Sequence, residues 1–434
     1  MKLRLILGLI LTLLTVSSWG LPSAIEKAIH LTKAREFYDN ILSSSLHNIR
    51  PKVAIHDVSF FGYKILLRDE PLESTPKEMG LISPHGSSVT QVFKGVDPKQ
   101  SVSVLTKGIY IEDFNKAIRS WEKHHIKLVN LSMSFRSPEI IHALNGFIER
   151  GGVVVASSGN SGARLGIDLA PHYQGFKGLT VSATDNQGRL TSFSQFDEGL
   201  SVLAPGERES YPTKRVTYKL AGREQPTALD DNYSLQSYAF GMTSASAPVV
   251  SGLVAMALTL DNKLSQKEIN LLLKNSATLV SGKKFINAHA FFNQVMVFKH
   301  FKEFYHQHYR ALMCSDNVID FREHLLREES FNISLERTKV YHYRKVAAPM
   351  APVTPALPRT PGERWTFHSF MVMGDLVLDF DFTDKPRLVT FEEYKKTMWS
   401  KSGKILSQNK PLLDYKKGEL GGSMDERTYP WTEI

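Results

Sequence analysis

The most informative segment of the sequence runs from Gly241 to Pro248 and reads Gly-Met-Thr-Ser-Ala-Ser-Ala-Pro. Ser244 heads a run of small residues that continues into the apolar segment Val249–Leu258, which predicts a serine at the start of a buried helix. Pro248 is tolerated in the first turn of such a helix, where its missing amide hydrogen would have no partner. The positive end of the helix dipole favours an anion that forms at the serine. By itself, the segment is equally typical of a buried small-residue helix without chemistry.

Three further segments carry polar side chains at predicted strand ends and helix starts. Asp57 ends the strand-like run Lys52–Asp57, His85 lies at a predicted helix start, and Asn160 lies in a Gly-rich turn after the run Gly152–Ser157. In parallel α/β sheets, ligand-binding and catalytic residues are commonly found at these positions. A serine hydroxyl becomes a good nucleophile when a base removes its proton, and a carboxylate orients that base. An amide donor then stabilises the oxyanion of the tetrahedral intermediate.

The order of these residues resembles that of the subtilisin-like serine proteases (subtilases), and the resemblance covers roughly residues 30–295. Short motifs around the aspartate, the histidine, the asparagine and the serine support it. They are Val53–Asp57 (VAIHD), His85–Val89 (HGSSV), Ser158–Gly162 (SGNSG), and Thr243–Pro248 (TSASAP) with Gly252 beyond.

The resemblance implies a catalytic role for each of these residues. Ser244 would attack the peptide carbonyl, His85 would shuttle the proton, and Asp57 would orient His85. Asn160 and the backbone amide of Ser244 would bind the oxyanion. A peptide or protein substrate would lie extended and pair its main chain with a strand, as in strand addition. The residues that would pair with it are Ser132, Met133 and Ser134.

The chain departs from the family pattern at three places. Met242 stands where the family has glycine, Val58-Ser59 where it has Ser/Thr-Gly, and Ser88 where it has a second histidine. No member of the triad is lost, so the leading hypothesis is an exported serine endopeptidase. The alternative is a catalytically weak or inactive binding protein with the subtilase fold, with a Cys-dependent hydrolase or amide-transfer site in its C-terminal part.

The alternation of short β-branched runs with helical patterns from Val53 to about residue 288 predicts an α/β fold. We expect a subtilisin-like parallel sheet with flanking helices, followed by a smaller α+β domain. The predicted divisions are a signal peptide at 1–20, a catalytic domain at 21–296 and a C-terminal domain at 297–434 with a Pro-rich loop at 349–361.

The first twenty residues predict export. Lys2 and Arg4 precede an apolar run from Leu5 to Val16, which is shorter than the roughly 20 residues that span a bilayer. We therefore expect cleavage after Gly20, a periplasmic or secreted protein, and no stable membrane insertion afterwards. The formal net charge is +9 without a dense basic block with interleaved aromatics, so nucleic acid is not a predicted partner.

The single cysteine raises a second hypothesis. Cys314 begins a helical pattern, and a predicted hairpin would set His368 beside Asp379. A cysteine on a helix start with histidine and aspartate on paired strands resembles the papain-like and transglutaminase-like thiol fold. That resemblance implies a Cys314 nucleophile, a His368 base and an Asp379 orienter. The alternatives are a small buried cysteine and a hydrogen-bonded core histidine.

No cofactor and no metal site is predicted with any certainty. A structural calcium ion lacks support from an Asp/Asn-rich loop, and its weak candidate, Asp230–Asn232, is equally typical of an exposed acidic turn.

Overall fold

The computed structural model divides the described chain into two compact units. The first contains Ile49–Thr259, Thr278–Ile286 and the described part of Met1–Leu31; the second contains Thr32–Asn48, Leu260–Ala277 and Asn287–Ile434. The described residues are 21–44, 49–57, 85–106, 111–133, 135, 137–162, 173–199, 201–207, 240–311, 313–327, 333–344, 355–360, 365, 367–398, 404–411 and 432–433. The predicted signal peptide, Ser134, Asp230–Asn232 and most of the Pro-rich loop lie outside them.

The first unit is built on an eight-stranded sheet. Its strands are β1 (Val53–Asp57), β2 (Val102–Thr106), β3 (Leu128–Leu131), β4 (Val153–Ser157), β5 (Leu179–Thr184), β6 (Ser201–Pro205), β7 (Thr278–Val280) and β8 (Lys283–Phe285). The order is β2-β1-β3-β4-β5-β6-β8-β7, and only the β7–β8 pair is antiparallel. Strands β1 and β3 to β6 are buried throughout, which explains why apolar residues predominate in them.

Helices of the first unit flank this sheet. They are α1 (Ser23–Ala28), α3 (His85–Val96), α4 (Ile111–Lys123), α5 (Pro138–Glu149) and α6 (Thr243–Leu260), with α2 (Leu31–Ser44) assigned mostly to the second unit. Helix α4 buries Phe114, Ala117, Ile118 and Trp121, the spacing of one helical face. These side chains join residues of β3 and β4 in one hydrophobic core.

Helix α6 forms the central helix of the first unit. Among the described helices it alone has the length and apolar composition of a membrane span, but 94% of its apolar window is buried inside the protein. Gly252 allows close packing, because a Cβ there would lie 2.6 Å from the Cβ of Val96 on α3. The small residues of this segment therefore pack a core helix, as the sequence predicts.

The second unit contains a six-stranded antiparallel sheet with helices. The strands are β9 (Thr338–Arg344), β10 (Phe367–Met373), β11 (Leu376–Leu378), β12 (Val389–Thr390), β13 (Lys404–Pro411) and β14 (Thr432–Glu433), in the order β12-β11-β10-β9-β13-β14. The helices are α7 (Gln266–Ser276), α8 (Ala288–Gln307), α9 (Cys314–Arg327) and α10 (Phe391–Met398). The predicted fold class, a parallel α/β sheet with a smaller α+β part, is confirmed.

The boundaries of the compact units do not coincide with residue 297. Helix α8 starts after Asn287, whose side chain accepts the Ala290 amide, and it runs through residue 297 without a break. Of the Pro-rich loop, residues 355–360 are described, and the amides of Ala356 and Arg359 donate to Met398 and Asp381. The division into two functional domains at 297 stays a prediction.

Candidate active site

Asp57 and His85 meet at the C-terminal edge of the parallel sheet. Asp57 is the last residue of β1 and is fully buried, while His85 is the first residue of α3 and its side chain is 19% exposed. The Nδ1 atom of His85 lies 2.8 Å from Oδ2 and 3.0 Å from Oδ1 of Asp57. An Nδ1–H that donates to the carboxylate leaves Nε2 as the basic nitrogen. The pair therefore has the arrangement of an oriented general base.

Ser244 lies in the first turn of α6 and is 9% exposed. Its hydroxyl donates to the backbone carbonyl of Ser132 at 3.1 Å, and the Ser132 hydroxyl donates to the backbone carbonyl of Ser244 at 3.0 Å. Asn130 donates to the Ser132 hydroxyl at 3.0 Å and accepts from Ser251 at 2.8 Å. This buried chain ties the start of α6 to the end of β3.

Two members of this series of hydrogen bonds, Asn130 and Ser251, were not predicted from the sequence. Asn130 interrupts the apolar run of β3, and Ser251 interrupts the apolar run of α6. A polar residue inside an apolar strand or helix is the signal that marks such a pair, because buried polar groups are hydrogen-bonded. The sequence alone does not tell which of the polar core residues meet.

Asn160 faces the start of the same helix. Its Oδ1 atom accepts hydrogen bonds from the backbone amide of Thr243 at 3.1 Å and from the Thr243 hydroxyl at 2.6 Å. A backbone amide is always a donor, so the atom that faces it must be the oxygen, and the side-chain NH₂ group occupies the other branch. Thr243 thereby orients Asn160 beside Ser244, a role that sequence reasoning did not assign.

Met242 adopts a backbone conformation that favours glycine. Its φ is 66°, in the left-handed region, where a side chain is disfavoured by about 1–2 kcal/mol. Its carbonyl accepts the amides of Ala245 and Ser246 at 3.0 and 3.3 Å. Gly206 makes room for this turn, since a Cβ there would lie 2.6 Å from the Met242 carbonyl oxygen. The positive φ of Met242 explains why the family has glycine at this position.

The structure brings most of the predicted serine-site residues to one edge of the sheet. Asp57, Ser132 and Asn160 lie at or just after the C-terminal ends of the neighbouring strands β1, β3 and β4. Of the predicted substrate-binding residues, Met133 is buried and Ser134 lies outside the described residues. Phe240, which sequence reasoning did not name, packs edge-on to the ring of His85 at 5.5 Å.

A second cluster of chemical groups lies in the second unit. His368 on β10 places Nε2 2.9 Å from Oδ1 of Asp379, and neither side chain is exposed. Burial lowers the pKa of His368, but the charge and hydrogen bond of Asp379, together with the nearby Cys314, raise it by more, so the pKa lies well above its ordinary value. The structure thus joins His368 to Asp379 and places Cys314 near His368, while a thiol site formed by the three residues stays a prediction.

Asp381 and Tyr394 complete this cluster and were missed from the sequence. The Tyr394 hydroxyl donates to Oδ2 of Asp379 at 2.5 Å, and the Asp381 amide donates to Oδ1 at 2.9 Å. His368, Asp379 and Asp381 place ligand atoms within 4.8 Å of one another, a set that could hold a metal ion although the sequence predicts none.

Comparison with known proteins matches part of the chain to proteases. Residues 84–296, just under half of the chain, match the Subtilase family. His85, Asn160 and Ser244 lie inside the matched segment, and Asp57 lies before it. The match supports the resemblance of this segment to the subtilases.

Several bacterial proteases are similar to part of the chain. Subtilisin Savinase of Lederbergia lenta is 31% identical over 205 residues, which cover 45% of this chain and 64% of that protein. Subtilisin BL of the same organism is 28% identical over 205 residues, with the same coverage of 45% and 64%. A protein named Extracellular protease from Xanthomonas campestris is 29% identical over 142 residues, 32% of this chain and 22% of that protein. The chain spans less than two thirds of the length of these relatives.

Solved structures of proteases are also similar to this one. Prenylagaramide maturation protease PagA has a TM-score of 0.42 at 17% identity, covering 60% of this chain and 98% of that chain. The nisin leader peptidase NisP from Lactococcus lactis has a TM-score of 0.40 at 17% identity, covering 60% of this chain and 92% of that chain.

Proposed function

We propose that this chain is a subtilisin-like serine endopeptidase whose active site lies in the first unit. The match of residues 84–296 to the subtilases supports the class of reaction. The observation that carries the proposal is the hydrogen bond between His85 and the fully buried Asp57 at the end of β1. A buried carboxylate on the imidazole Nδ1 is the arrangement that serine hydrolysis requires of its base.

In the proposed reaction the Ser244 hydroxyl attacks the carbonyl carbon of a peptide bond. His85 takes the hydroxyl proton on Nε2 and later gives it to the leaving amine, while Asp57 stabilises the imidazolium. The NH₂ group of Asn160 donates to the oxyanion, because Thr243 holds the amide oxygen on its other side. Such a donor contributes about 3 kcal/mol to stabilisation of the transition state.

Before attack, the Ser244 hydroxyl has to exchange one hydrogen bond for another. In the structure it donates to the Ser132 carbonyl, whereas proton transfer requires that it donate to His85. The Ser132 carbonyl is then released and becomes an acceptor for a substrate amide. This exchange would couple substrate binding along β3 to activation of the nucleophile.

The proposal extends to substrate and location. Peptides or proteins are the proposed substrates, and the apolar N-terminal run with Lys2 and Arg4 supports export to the periplasm or the medium. One relative is itself named an extracellular protease. Immunodetection in cell fractions tests the location: protein retained only in the cytoplasm would contradict export.

Labelling with a fluorophosphonate probe tests the active site. We expect the purified protein to be labelled, and the labelling to be lost in Ser244→Ala and reduced by at least about 10²-fold in His85→Ala. Ser265→Ala is the matched control, because Ser265 also stands at a helix start but caps α7 in the second unit. Equal labelling of wild type and Ser244→Ala would contradict the proposal.

A weakly active or inactive binding protein is the alternative, and Met242 is the observation that favours it. A side chain at φ 66° two residues before the nucleophile costs backbone strain and adds bulk beside Ser244. In this alternative the folded protein would not react with the probe, and removing the side chain in Met242→Gly would restore labelling. Labelling that appears only in Met242→Gly would show that the departure itself suppresses catalysis.

A further inference from the structure

The second unit carries a thiol whose position is set by its neighbours. Cys314 is partly exposed and is the first residue of α9. The side chain of Asn317 accepts from the amide of Arg310 at 3.0 Å and donates to its carbonyl at 2.8 Å, which closes the turn before the helix. The thiol is therefore held at the start of a helix by a preformed turn.

The same helix is joined to the strand that carries the histidine. Ser315 and Ser369 directly follow Cys314 and His368 in sequence, and their hydroxyl oxygens are 2.8 Å apart and buried. Cys314 lies close enough to His368 to raise the pKa of the imidazole. The hydroxyl pair fixes the start of α9 against β10 at the residue that follows His368.

The imidazole is oriented from its other side. His368 Nε2 lies 2.9 Å from Asp379, whose second oxygen accepts from Tyr394, and the ring of Trp365 stacks on the imidazole with centroids 4.5 Å apart. With Nε2–H donated to the carboxylate, Nδ1 is the nitrogen left to take up a proton, and it lies 3.9 Å from Oδ2 of Asp381. The imidazole is therefore oriented by a carboxylate and lies near the thiol.

We propose that Cys314, His368 and Asp379 form a second catalytic site, which hydrolyses an ester or amide through a thioester on Cys314. The proposal is independent of the serine site, since all three residues belong to the second unit. A purely structural role for the histidine would need only Asp379. It would not require a thiol near the imidazole at the start of α9.

The proposed reaction has two steps, acylation of Cys314 and hydrolysis of the thioester, and neither step needs an oxidant. The Cys314 thiol gives its proton to His368, and the sulfur forms a bond to the substrate carbonyl carbon. When the bond from that carbon to oxygen or nitrogen breaks, the alcohol or amine leaves with the proton from His368. Water then attacks the thioester, and the thiol and a carboxylic acid are released. The first backbone amides of α9 supply donors for the oxyanion.

The test uses the full chain carrying Ser244→Ala and the activated ester p-nitrophenyl acetate. We expect a burst of p-nitrophenolate and an acetyl group on Cys314, identified by peptide mass mapping. The acylation rate should be at least about tenfold higher in the native protein than in the same chain unfolded in urea. This comparison needs no variant in the cluster, so a misfolded mutant cannot decide the outcome.

Variants then separate activation from simple access to the thiol. His368→Gln should lower the acylation rate by about 10²-fold, and Cys314→Ala should abolish the adduct. Added imidazole should restore part of the rate in a folded His368→Ala protein, which a structural role would not predict. His300→Gln is the matched control: it replaces another buried histidine of the second unit and should change the rate less than about twofold.

Three results would overturn the proposal. One is a folded protein with no acetyl group on Cys314, and another is an acylation rate no higher in the native than in the unfolded chain. The third is stoichiometric zinc binding that is lost in Asp381→Asn while acylation of Cys314 is independent of His368. That pattern would assign His368, Asp379 and Asp381 to a metal site instead.

Discussion

At the scale of single residues, buried hydrogen bonds position the groups at the start of α6. Ser251 donates to Asn130, Asn130 donates to Ser132, and Ser132 exchanges two hydrogen bonds with Ser244. All four side chains are buried, so each of these hydrogen bonds replaces one that water would supply in the unfolded protein. The chain therefore couples the stability of the first unit to the position of Ser244.

Ser251→Ala should lower the free energy of unfolding by about 1–3 kcal/mol, because it leaves Oδ1 of the buried Asn130 without its donor. Urea denaturation of the Ser244→Ala background measures the change without self-cleavage. Thr259→Ala is the matched control on the same helix: its hydroxyl donates to the Ala255 carbonyl of its own helix. A loss for Ser251→Ala no larger than that for Thr259→Ala would show that the buried chain contributes nothing.

At the scale of elements, close packing of α6 on α3 depends on Gly252. A Cβ at this position would lie 2.6 Å from the Cβ of Val96 and 3.3 Å from the Phe93 carbonyl oxygen. Glycine inside a helix costs about 1 kcal/mol relative to alanine, so its presence requires a packing reason. The reason is the short distance between the two helices at this point.

Gly252→Ala should therefore destabilise the protein by about 1–3 kcal/mol, although alanine is the better helix former. In a double-mutant cycle, Val96→Ala should recover part of the loss. Gly146→Ala on α5 is the control, since its Cβ would meet only the flexible end of Arg150, and it should be neutral or stabilising by up to about 1 kcal/mol. Thermal unfolding of the two single variants, the double variant and the Gly146→Ala control measures these changes in stability. Stabilisation by Gly252→Ala would contradict the packing argument.

At the scale of the whole molecule, acid stability depends on a buried histidine of the second unit. Burial, the neighbouring His324 and Lys299 lower the pKa of His300 to about 4, below its ordinary value of 6.5. Glu303 lies 3.5 Å away and faces the ring from the same helix. The folded state therefore favours the neutral imidazole, while the unfolded chain takes up a proton at a higher pH.

The lower pKa of His300 in the folded state makes the protein less stable as the pH falls. Above pH 6.5 both states are neutral and the stabilisation is complete; it is lost as the pH falls from 6.5 toward 4. We expect the free energy of unfolding to drop by about 2 kcal/mol between pH 7 and pH 5 on account of His300. His300→Gln should flatten that part of the profile in urea titrations. An identical pH slope in the variant would contradict the assignment.

The sequence was enough to predict the class of the fold, which the structure confirms, and it proposed residues for two candidate sites, which stay predictions. Buried parallel strands favour short, mostly apolar runs, and polar side chains of functional sites gather where such strands end, so Asp57 and Asn160 could be placed from local pattern. The hypothesis for Cys314, His368 and Asp379 used a helix start, a hairpin and a resemblance to thiol enzymes. These features depend on neighbours close along the chain.

The tertiary structure alone decided the contacts between distant segments. Asn130 with Ser251, Thr243 with Asn160, and Tyr394 with Asp379 join residues whose separation in sequence carries no periodic signal. It also decided the left-handed conformation of Met242 and the path of α8 through residue 297. The physical reason is that side-chain partners and backbone strain result from the packing of whole elements, which local propensity does not encode.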